Sequence, residues 1–109
     1  MPETEQMGGV TIAPGVLATI VSLTAQAVPG VSRLSGSGMG RFLGRDDPRT
    51  GIRVQVKDDA VWADVYLIVE SGRNMYQVGT QVQKEVAEAV LQMVGMPVQE
   101  VNVYIQDVE

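Results

Sequence analysis

The stretch AVWADVYLIVE, residues 60–70, constrains this chain more than any other. Val61, Ala63, Val65, Leu67 and Val69 alternate there with Trp62, Asp64, Tyr66, Ile68 and Glu70. Successive side chains of an extended backbone point to opposite faces, so this alternation predicts one long strand with two dissimilar faces. The first set is purely aliphatic and requires cover by helices. The second mixes two aromatic rings and an isoleucine with two carboxylates, an unusual composition for a face that meets only water.

The flanking sequence supplies a partner strand and two helices. Ile52, Val54 and Val56 alternate with Arg53, Gln55 and Lys57, and Asp58-Asp59 suits a tight turn, so residues 52–70 read as a β-hairpin. Upstream, Pro14 fits the first turn of a helix whose apolar stripe is Val16, Leu17, Ile20, Val21, Leu23 and Ala27. No charged residue occurs between Thr11 and Ser32, so this helix is either deeply buried or covered by a partner. Val28-Pro29-Gly30 ends it, and residues 31–35 read as a weak strand. Downstream, residues 76–94 form a second helix with Val78, Val82, Val86, Ala89, Val90 and Met93 inward, stopped by Gly95 and Pro97. Val101, Val103 and Ile105 alternate in a final strand with Asn102, Tyr104 and Gln106. Residues 9–12 suit a short edge strand. Residues 1–8 have no periodicity and read as a flexible tail, which leaves 9–109 as a single domain. The expected fold is α+β, a small antiparallel or mixed sheet with two helices packed on one face.

Composition removes most chemistry. With no cysteine and no histidine there is no thiolate nucleophile, no ordinary general base and no common metal-ligand cluster. Asp58, Asp59, Asp64 and Glu70 lack metal-loop spacing, and turn-forming and solvating roles account for them. Ser35, Ser37 and Ser71 have no base that the sequence identifies. No catalytic residue, cofactor or metal site is therefore expected. The net charge of −5 argues against general nucleic-acid binding. No apolar run approaches the roughly 20 residues that cross a bilayer, and the acidic start MPETEQMGG is unlike a signal peptide, so the expectation is a cytosolic protein.

Two stretches remain as candidate contact surfaces. Residues 35–51, SGSGMGRFLGRDDPRTG, read as a mobile loop, since Gly36, Gly38 and Gly40 match no phosphate-binding motif. Arg41, Phe42, Leu43 and Arg45 in that loop are the candidate secondary contact, where basic and apolar groups would meet a partner, and the competing reading is a solvated loop whose mixed charges keep it soluble. The primary surface is the mixed sheet face, where Trp62, Tyr66 and Ile68 join Tyr104 of the last strand. Aromatic residues rimmed by arginine are typical interface anchors. The competing reading is that the N-terminal segment or the long loop folds over this face.

The ordered motifs GGVTIAPGVLATIVSLTAQAVPGV, GIRVQV, VWADVYLIVESG, QVQKEVAEAVLQMVGMPV and VNVYIQDV resemble the bacterial alkaline-shock, or general-stress, protein family over residues 9–108. That resemblance implies a non-enzymatic cytoplasmic protein of envelope homeostasis, acting through self-association and protein–protein contacts. Besides a second copy, it implies one of two alternative partners. One is a membrane-anchored protein that gathers it at the inner face of the membrane. The other is a fatty-acid kinase or similar lipid-modifying enzyme that it serves as an accessory or carrier. The carrier reading predicts an apolar cavity lined by Leu17, Val21, Leu67 and Met93. A third reading, RNA binding through the arginine loop, predicts salt-sensitive affinity.

Overall fold

A computed structural model describes residues 8–36 and 51–109. In chain order these form α1 (Pro14–Ala27), β1 (Val31–Leu34), β2 (Ile52–Lys57), β3 (Ala60–Val69), α2 (Met75–Val94) and β4 (Val98–Val108). The expected α+β architecture is present, with both helices on one face of a four-stranded sheet. The sheet is mixed. β3 runs antiparallel to β1 and β2 and parallel to β4, because α2 carries the chain back before β4 begins.

β3 organises the sheet. On one edge it pairs with β2 over residues 60–65 and with β1 over residues 67–69, while β4 runs along residues 61–69. β1 and β2 thus share one edge of β3 and meet at Tyr66. There the Ser35 N–H donates to the Tyr66 carbonyl at 2.7 Å, and the Tyr66 N–H donates to the Gly51 carbonyl at 2.8 Å. Gly36 follows the end of β1 and Gly51 precedes β2. Gly51 has φ +96°, and a Cβ there would run into the Ser35 carbonyl oxygen, so this position requires glycine.

The aliphatic face of β3 forms the core. Val61, Ala63, Val65, Leu67 and Val69 are all buried, and Val78, Val82, Val86 and Val90 of α2 pack onto the same cluster. α2 is held at both ends. The Asn74 side chain accepts from the Gln77 N–H at 3.0 Å, and left-handed Gly95 donates its N–H to the Leu91 carbonyl at 2.9 Å.

Three sequence expectations need correction. Met93 is 68% exposed and belongs to the surface rather than to the core stripe. The valines of α2 follow strict four-residue spacing, which advances the contact line about 40° per step around the helix. By the last turn that line has moved to Val90 and Val94, leaving Met93 behind it. In α1 the inward face is carried by Leu17, Ala18, Val21, Ser22 and Ala25, while Val16 and Leu23 point outward. Small side chains let a helix approach its neighbours closely, and a helix that is apolar nearly all round does not declare its inner face. Residues 9–12 form no strand, and Val10 is almost fully exposed. Two alternating apolar residues bury too little to hold an edge.

Candidate functional site: the outer face of the sheet

With both helices on the aliphatic side, the other face of the sheet carries the remaining β3 side chains in register with their neighbours. Gln55 and Glu100 flank Trp62, and Arg53 and Asn102 flank Asp64. Tyr104 lies beside Tyr66, with Gly51 on its other side. Arg33 and Asp107 flank Ile68.

The expected aromatic residues do share this face. The rings of Tyr66 and Tyr104 stack with centroids 4.7 Å apart and planes 16° from parallel. Stacking of this kind holds the pair as one rigid surface. Tyr104 is 41% exposed, and Trp62 and Tyr66 are half-buried among their strand neighbours. Ile68 differs. It is only 6% exposed, although it stands outside the helix-side core cluster. Bulges at Ser32 and Gln106 alter the register around it. The Arg33 Nε meets Glu109 Oε2 at 3.0 Å, and the Ser32 hydroxyl donates to the same oxygen at 2.7 Å. These contacts tie β1 to the residue after β4, and Ile68 lies on the strand between them. Trp62, Tyr66 and Tyr104 are therefore more accessible than Ile68. Arg41, Phe42, Leu43 and Arg45 lie outside the described residues, as does the expected tail apart from Gly8.

Two features of the face escaped the sequence reading. Asn102 donates through Nδ2 to Asp64 Oδ1 at 3.0 Å and to Glu100 Oε1 at 3.3 Å, fixing two carboxylates on adjacent rows. Alternation places Asn102 outward, but only the parallel register shows which acid it meets. The second feature is the Arg33–Glu109 pair, joining residues 76 apart in the chain. The Arg33 guanidinium, and after it the Ser32 hydroxyl, hold the Glu109 carboxyl below its ordinary value.

The face also has two electrically different margins. β2 presents Arg53 and Lys57, and β4 presents Glu100 and Asp107. None of these four forms an ion pair with another described residue. Among the described residues no group of three or more acidic side chains is placed to hold a metal ion. No helix of the described residues is long and apolar enough to cross a membrane. The residues expected to line a carrier cavity do not come together as one. Leu17, Val21 and Leu67 are packed at 0–2% exposure, while Met93 faces outward.

Comparison with known proteins places the chain. The uncharacterized protein YqhY of Bacillus subtilis is 29% identical over 110 residues, covering 98% of this chain and 82% of its own length. The uncharacterized protein Spy1535 of Streptococcus pyogenes is 29% identical, covering 96% of this chain and 82% of its own length. Among solved structures, two variants of the MamM CTD align with TM-scores of 0.57 and 0.54 at 16% and 17% identity. The first alignment covers 89% of this chain and all of the other, and the second covers 86% and 94%. Identity this low speaks for a shared fold alone. The family model of the alkaline shock proteins, described as having a cell envelope-related function, matches residues 2–109. The chain belongs to the alkaline shock protein family.

Proposed function

We propose that this protein is a non-enzymatic interaction protein of cell-envelope homeostasis that works by self-association through the outer face of its sheet. One observation carries the reading. Both helices pack on the aliphatic side of β3, and the stacked Tyr66–Tyr104 pair and Trp62 stand on the opposite side. Rigid aromatic groups lose little conformational freedom on binding, which makes them efficient anchors. The absence of cysteine and histidine from the sequence, and the lack of an identifiable nucleophile–base pair, favour binding over catalysis. Recruitment to a membrane-anchored protein, and service to a lipid-modifying enzyme, are further contacts that the same surface is free to make in exchange for a second copy.

Sedimentation velocity across a concentration series tests the reading, with Trp62→Ala run beside the parent chain. Concentration-dependent association that weakens at least tenfold in a variant with an unchanged far-UV spectrum supports it. Monomer at every concentration removes self-association. Loss of the native spectrum in Trp62→Ala would instead make Trp62 a fold residue.

A further inference from the structure

We propose that the second copy sits face to face on this sheet about a two-fold axis parallel to β3. In this arrangement the basic β2 margin of each copy overlies the acidic β4 margin of the other. The inference rests on the reading that the outer face self-associates, and it specifies how.

The charge layout and the strand register both point to this axis. A two-fold that stacks two identical faces must lie in the plane between them. Turned across the strands, it sets Arg53 and Lys57 over their own copies and Glu100 and Asp107 over theirs. Turned along the strands, it exchanges the margins and keeps the height along the strand. The charges select the second orientation. It also suits two sheets packed face to face, whose strand directions stay within about 30° of each other.

The heights match as well. Gln55 and Glu100 are both partners of Trp62, so the second copy's Glu100 arrives level with Gln55. Arg53 and Lys57 lie two residues to either side of Gln55, about 7 Å along the strand. Stacked sheets stand about 10 Å apart, a gap that a glutamate and a long basic side chain span together. Arg33 and Asp107 are likewise both partners of Ile68 and come level with one another, adding to the existing Arg33–Glu109 pair. On the axis, Trp62 meets Trp62 and Tyr66 meets Tyr66, while each Tyr104 comes over the Gly51 side of the other copy's Tyr66. Asp64 also meets its copy, which is the one unfavourable juxtaposition. Arg53 lies directly across the ladder from Asp64 and Asn102 already donates to it, so each carboxylate is flanked by compensating groups.

Two charge reversals and their mixture test the geometry by sedimentation velocity at low ionic strength. Arg53→Glu and Glu100→Arg lie at exposed positions, and far-UV melts confirm that each variant is folded. Each alone should associate at least tenfold more weakly than the parent chain. An equimolar mixture should recover a dimer, because the reversed charge at position 53 of one copy then faces the reversed charge at position 100 of the other. The double variant should recover it too. Asp64→Asn should associate more tightly than the parent. Single reversals that dimerise like the parent overturn the arrangement, and so does a mixture that stays monomeric. A parent species that keeps growing beyond a dimer overturns it in favour of edge-to-edge addition. In each of those cases self-association stands. A parent chain that is monomeric throughout overturns the underlying reading itself.

Discussion

The two faces of β3 are written in one ten-residue strand but obey different chemistry. On the helix side five consecutive inward positions are aliphatic and at most 1% exposed. On the other side every position differs in kind: an alanine, an indole, a carboxylate, a phenol and an isoleucine. The first face gains stability in proportion to the apolar area removed from water, and it is insensitive to which aliphatic side chain fills each place provided the volume is kept. The second is ordered by pairwise contacts with β2 and β4, each specific to its row. One side of the strand makes the fold, and the other is the face proposed to make an encounter.

Substitutions on the two faces should separate these roles. Leu67→Ala removes a fully buried side chain from the centre of the core and should cost about 2–5 kcal/mol of folding stability, read by urea or thermal unfolding. Tyr104→Ala, on the opposite face and 41% exposed, should leave the melting transition within about 1 kcal/mol of the parent. It should nevertheless weaken association at least tenfold, which corresponds to about 1.4 kcal/mol. If Tyr104→Ala instead unfolds the protein as Leu67→Ala does, the division between the faces fails.

Smaller effects sharpen the same contrast at the strand ends. Asp58 and Asp59 form the β2–β3 turn with φ of 53° and 60°, a conformation that suits glycine better than aspartate. Asp59→Gly should raise stability by up to about 1 kcal/mol in urea unfolding without changing association. The Arg33–Glu109 pair should contribute least, because both side chains are about half exposed. Its sign is fixed by the lowered Glu109 carboxyl. That contribution is fully present above the ordinary carboxylate value and is lost as the pH falls through the depressed one. Glu109→Gln should therefore reduce stability slightly at neutral pH and match the parent in strong acid, as pH-dependent melts would show.

Most of the fold was legible because the strongest patterns lie where burial is complete. The alternation of β3 and the valines of α2 at four-residue spacing announce their inner faces directly. Four things were hidden for physical reasons. The inner face of α1 is marked by small residues, Ala18, Ser22 and Ala25, which hydropathy ranks below the exposed Leu23. Met93 sits on the expected stripe but beyond the reach of a contact line that rotates along the helix. The parallel pairing of β3 with β4 depends on the path of α2, and with it went the Asn102–Asp64 bond and the stacking of Tyr66 on Tyr104. The aromatic membership of the outer face was readable from parity alone. The burial of Ile68 was not, since its parity is the same as that of the half-buried Trp62 and Tyr66.

Trp62 is the only tryptophan in the chain, and it stands on the central strand of the face assigned to self-association. Its fluorescence therefore reports on that face without any added label. The most direct measurement is acrylamide quenching of Trp62 across the concentration range in which sedimentation shows the protein to associate. Quenching should fall as the dimer forms, with the same midpoint as the rise in mass. A rise in mass with unchanged quenching would place the contact elsewhere on the molecule and contradict the assignment of the outer sheet face.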